Sequence, residues 1–87
     1  MGKTYNRINL QHRDEKGRIE TIASWSRVEA IQPINYWEGY RDALRLCEAG
    51  INYPCVPQFD GYIFWKEDHR HNHIEEWWLE DENGTKL

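Results

Sequence analysis

Long apolar runs are missing from this chain: no wholly apolar stretch exceeds about four residues. A bilayer-spanning helix needs roughly 20, so no such span is expected. Cysteine is scarce, and Cys47 and Cys55 are too few and too far apart for a disulfide framework or a cysteine-rich zinc site. A bridge between the two is left open. Also lacking are a phosphate-cradling glycine loop, a His-Glu-x-x-His, a Cys-x-x-Cys and a nucleophile elbow, the arrangements that most often announce catalysis. A non-enzymatic chain is therefore expected. The segment from Met1 to Asn6 has no apolar run of the secretory kind, and Asn6 stands where a myristoylation pattern needs Ser or Thr. A cytoplasmic location is expected. Asn83-Gly84-Thr85 matches the glycosylation sequon, but it is read as part of a polar tail.

What the sequence does hold is aromatic and charged. Its 87 residues include five Trp, five Tyr and two Phe, which argues for a packed core and against disorder. The length suits one domain, residues 1–87, with a single core. The net charge of −4 is unevenly spread. Residues 1–46 carry eight Lys/Arg against six Asp/Glu, net +2, and residues 47–87 carry three against nine, net −6. A negative chain is repelled by phosphate backbones, so nucleic acid is an unlikely partner unless Lys3, Arg7, Arg13, Lys16 and Arg18 form a local patch.

Alternation of apolar and polar residues predicts strands over 3–13 and 18–25, joined by a turn at Asp14-Glu15-Lys16-Gly17. Ser26 and Glu29 have capping-box spacing, which suggests a short helical turn over Arg27 to Ile31 that halts before Pro33. From about 36 to 49, helical periodicity places Tyr36, Trp37, Tyr40, Ala43, Leu44 and Cys47 on one stripe, closed by Gly50. Residues 51–60, with Pro54 and Pro57, read as a loop that could fold over a sheet face. Two further strands are expected at 61–66 and 74–79, around a polar tip at 67–73. The predicted fold is α+β in the order ββαββ: a four-stranded antiparallel sheet packed on one main helix.

Three constellations could carry function. In His69-Arg70-His71-Asn72-His73 an extended backbone would align three imidazoles about 7 Å apart. His69, His71 and His73 are thus candidate metal ligands, zinc being the metal considered, with His12, Cys55 or Glu75 completing the set. The acids Glu67, Asp68, Glu75, Glu76, Glu80, Asp81 and Glu82 form either a solvated edge or a negative docking surface. Finally, Trp77 and Trp78 must point to opposite sheet faces, as must Phe64 and Trp65, so large rings are expected on the face that the helix leaves open.

These features favour a non-catalytic protein-binding module. Its partner-binding residues are expected to be Trp65, Trp78, Glu76, Glu80, Asp81 and Glu82, with Trp78 as an exposed anchor facing a basic protein surface. A short, acidic, tryptophan-rich domain without a chemical motif is similar in kind to small accessory proteins of phages and mobile elements that bind and block a host factor. An inhibitor of a host defence or nucleic-acid-processing protein is the most concrete expectation. The alternatives are a metal-binding protein or metal-dependent enzyme using His69, His71 and His73, and a nucleic-acid binder using the basic first hairpin. A homodimer through a free sheet edge or face is also considered.

Overall fold

The computed structural model describes residues 4–29, 31–50, 58–60 and 62–87. Strand β1 (Thr4–Arg13) turns back into β2 (Ile19–Glu29). Helix α1 (Ile31–Gly50) follows, then β3 (Gln58–Asp60), β4 (Ile63–Glu67) and β5 (His73–Asp81). The strands form one antiparallel sheet in the order β2-β1-β5-β4-β3. The expected β-β-α-β-β order and four antiparallel strands are present, and the three-residue β3 extends the sheet at one edge.

The C-terminal half of β5 explains the core. Trp77 and Leu79 point to the helix side, opposite Phe64 on β4 and Leu10 on β1, and Ile8 lies further along the same side of β1. These five, with Trp37 from α1, are between 0 and 2% exposed. Trp37 meets Phe64 edge-on, with centroids 6.0 Å apart, and Phe64 leans on Trp77 at 5.1 Å. Burial of aromatic area on this scale is the main favourable term available to a chain of this length. Among the described residues, the indole N–H groups of Trp37 and Trp77 in this core have no hydrogen-bond partner.

Several local expectations are corrected. Strand β2 runs on to Glu29 where a short helical turn was predicted, because pairing of Arg7 with Ser26 and Tyr5 with Val28 continues the hairpin. Helix α1 then starts at Ile31 and includes Pro33, which a first helical turn tolerates because its missing N–H would have no intrahelical acceptor there. The earlier start recentres the buried stripe on Trp37: Pro33 and Trp37 are buried, and Ile34, Tyr40, Arg41 and Leu44 are half-buried. Tyr36, Ala43 and Cys47, expected on that stripe, are exposed, with Tyr36 resting edge-on against Trp25 at 5.2 Å. Gly50 is the last helical residue, not the one beyond it. Residues 51–57 of the expected loop over 51–60, including Cys55, lie outside the described residues, and its last three residues are strand β3 instead, paired with β4.

One turn design occurs three times. In Asp14–Arg18, Asp68–Asn72 and Asp81–Thr85 the leading Asp N–H donates to the carbonyl four residues on, and its own carbonyl accepts from the N–H three residues on. The Asp side chain also accepts from the N–H groups two and four residues on, at 2.8–3.0 Å. The fourth residue of each turn is left-handed: Gly17 (φ 84°), His71 (φ 65°) and Gly84 (φ 79°).

Candidate binding surface on the open sheet face

Antiparallel pairing carries the tips of both hairpins to the same end of the sheet. Arg13 lies opposite Glu76, Lys66 opposite Glu75, and Glu67 opposite His73. All four histidines of the chain are therefore at that end. The sheet nonetheless divides them.

On the helix side, His12 stacks on Trp77 with centroids 4.8 Å apart. Its Nε2 lies 2.7 Å from Glu75 Oε2, and Lys66 Nζ donates to Glu75 Oε1 at 3.0 Å. Lys66 is only 8% exposed and lies 5.8 Å from the centroid of the Trp77 ring. A carboxylate with both oxygens engaged by cation-capable groups offsets much of the cost of burying that lysine. Beyond Glu75, the first turn frames an open cleft of about 240 Å³ lined by Asp14, Glu15, Lys16, Arg18 and Glu75.

On the opposite side no described helix or strand packs, and this is the open face. Alternation puts Trp65, Glu76, Trp78 and Glu80 here, with Ile63 and Gln11 beside Trp78. Trp65 is half-buried, its ring stacked on His73 at 4.7 Å and its Nε1 donating to Glu67 Oε2 at 2.9 Å. Glu76 Oε1 accepts from both Nε and Nη2 of Arg13, at 2.9 and 2.8 Å, and its Oε2 lies 3.1 Å from His73 Nδ1. Burial opposes ionisation of Glu76, but the hydrogen bonds from His73 and Arg13 and their charges outweigh it, so its pKa sits below the ordinary value. Glu67 is held low by its hydrogen bonds from Trp65 and His71. A polar ladder continues across the face: Thr21 donates to Gln11, Gln11 to Glu80, and the Trp78 indole to the other oxygen of Glu80.

The predicted site residues therefore divide. Trp65, Glu76, Trp78 and Glu80 do share one face. Trp78 faces away from the helix as alternation predicts, but it is 6% exposed rather than an open anchor. Lys86 lies over its ring, 4.5 Å from the centroid, after the third turn brings the chain back so that Lys86 bridges Glu80. Asp81 is spent on that turn, and Glu82 is exposed beside it. The acidic cluster, expected as a solvated edge or a negative docking surface, is in part paired within the molecule, because β1 and β4 supply Arg13, His12 and Lys66 to Glu76 and Glu75. Periodicity within one segment carries no signal for such partners.

The three candidate metal ligands do not converge. Residues 69–72 form the tip turn instead of an extended strand, which removes the regular spacing. His71 pairs with Glu67 at 3.2 Å, His73 turns to Trp65 and Glu76, and His12 lies across the sheet. Among the described residues no three His, Cys, Asp or Glu side chains are grouped to hold a metal ion. The basic set is scattered likewise: Arg13 is paired with Glu76, Arg7 is on the open face, and Lys16 and Arg18 are at the turn. Lys3 lies outside the described residues. No described helix is long and apolar enough to cross a membrane. Compared with protein-family models, curated proteins and solved structures, the chain matches none.

Proposed function

We propose that the chain is a non-catalytic protein-binding module whose partner docks on the open face of β4 and β5. The observation that carries this reading is Trp65: a half-buried ring fixed by His73 stacked on one face and by Glu67 at its indole nitrogen. An aromatic side chain held in place before contact loses little further freedom on binding, which is what an interface anchor needs. Paired charges surround it, so a partner meets satisfied groups rather than bare ions. The excess of acid in residues 47–87 favours a partner with a basic surface, and such complementarity acts mainly on association rate. In its finer form the proposal is an inhibitor of the kind phages and mobile elements carry, covering a basic site on a host defence or nucleic-acid-processing protein.

The test is partner capture with immobilised chain, followed by affinity measurement on the protein retained. Trp65→Ala is expected to weaken binding by about 2 kcal/mol or more, while the fold, read by circular dichroism, persists. Arg7→Ala and Arg18→Ala should leave affinity within about threefold of the original. If those arginine changes abolish binding and Trp65→Ala does not, the docking surface is the first hairpin and not the open face of β4 and β5.

A further inference from the structure

We propose that the face of Trp78 is a recognition site for a cationic side chain, lysine or arginine, and that Lys86 occupies it as an internal stand-in. Trp78 is the one large ring of β5 on the open face, and no described helix or strand lies over it. It is nevertheless 6% exposed. Among the described residues, what lies over the ring is Lys86 Nζ, at cation–π distance.

The surroundings suit a positive charge. Glu76 and Glu80 flank Trp78 along the strand on the same face. Glu80 holds the indole N–H at 3.1 Å, which fixes the ring plane, and accepts from Gln11 at 2.7 Å, which fixes the carboxylate. Ring, carboxylate and amide are thus in place independently of the ammonium group. Lys86 by contrast is an exposed residue whose backbone is anchored on either side, by the bond from Asp81 N to Thr85 O at 3.0 Å and by that from Leu87 N to Leu79 O at 2.9 Å, with Leu87 packed against the core. A built platform under an exposed side chain, whose backbone is anchored apart from it, lets that side chain swing away and one cation replace another without unfolding the return. A lysine or arginine from a partner would displace Lys86 and gain the Trp78 face beside Trp65, its diagonal neighbour on β4. The source of that cation rests on the protein-binding reading above; the site itself does not.

The experiment uses the full chain and the blocked tripeptides acetyl-Gly-Lys-Gly-amide and acetyl-Gly-Arg-Gly-amide, with the norleucine counterpart as uncharged control. Binding is followed by the Trp78 indole N–H resonance. In Lys86→Ala the resonance is expected to shift with either cationic peptide, about tenfold more tightly than in the unaltered chain and not with norleucine. Lys86→Met, which keeps the apolar stem, should open the site to the same degree. An equal response in the unaltered chain, no response in both variants, or an equal response to norleucine would overturn the proposal. Because the probe is a peptide, these outcomes are independent of partner capture. Loss of partner binding in Trp65→Ala beside a silent Trp78 resonance would leave the protein-binding reading standing without this site.

Discussion

At position 71 the chain places a histidine where its two sister turns have glycine. A side chain in the left-handed region brings Cβ against the following carbonyl at a cost of about 1–2 kcal/mol. Glycine avoids that cost but has more freedom to lose on folding. Replacing His71 with Gly is therefore expected to stabilise the domain by about 0.5–1 kcal/mol, read as a raised midpoint in urea. The lost contact with Glu67 weighs little, because the His71 side chain is 85% exposed. Gly17→Ala and Gly84→Ala should change stability in the opposite sense, by about 1 kcal/mol each. Nothing lies within 4 Å of a Cβ at either position, so backbone conformation alone sets the effect. The turn at 14–17 is legible in the sequence from Asp14 and Gly17. Its relative at 68–72 is hidden because histidine holds the glycine position, and the one at 81–85 because it follows the last strand. Likewise, alternation correctly aims Trp78 away from the helix, yet nothing local announces that Lys86 will return to cover it.

Among the elements, the helix was most legible in kind and least in placement. Its periodicity is clear over 36–49, but a stripe running from Tyr36 to Cys47 through Tyr40 and Leu44 shifts the buried face by about one side chain from Trp37. Trp37 is fully enclosed and touches Phe64, so Trp37→Ala is expected to cost about 3–5 kcal/mol. Leu44 is only half-buried against the core, and Leu44→Ala should cost about 1–2 kcal/mol, below the range for a fully buried leucine. Chemical denaturation of the two variants distinguishes a stripe centred on Trp37 from one centred between Tyr40 and Leu44. The strands were legible because β-branched and aromatic residues alternate in them. Their tips were less so, since His73 was assigned to a turn and in fact opens β5. Strand β2, at the sheet edge, carries two interruptions: Ile22 is left unpaired between Ala23 and Thr21, and Arg27 is left-handed at φ 52°. Bulges and kinks of this sort discourage pairing with another strand, which weighs against the edge-to-edge form of the dimer considered from the sequence.

For the molecule as a whole, charge placement predicts behaviour in acid. Asp14 and Asp68 have pKa values below the ordinary 3.8, each through backbone hydrogen bonds at its turn, from Arg18 and Asn72 respectively. Glu67 and Glu76 sit below the ordinary 4.5. A group whose folded pKa is depressed binds fewer protons folded than unfolded. Its contribution is complete above the ordinary value and disappears as pH falls through the lowered folded value. Thermal stability is therefore expected to drop below about pH 4.5, followed by melting in buffers from pH 6 to 3. Glu76→Gln should reduce the slope of that drop. The lopsided charge was visible in the sequence, but its pairing was not: the basic first hairpin and the acidic last strand lie side by side, and Arg13 and His12 of the one meet Glu76 and Glu75 of the other.

That adjacency also shapes how the chain finds its structure. The central pairing of the sheet, Ile8 to Asp81 through Arg13 to Glu76, joins residues from opposite ends of the sequence, while both hairpins are local. Closing so large a loop carries an entropic cost that no nearby contact repays in advance. The hairpins can flicker into being early, but Ile8, Leu10 and Leu79 reach their shelter only when those ends meet. Folding should accordingly be governed by a late, long-range search, with the opposite charges of Arg13 and Glu76 helping the two strands find their register.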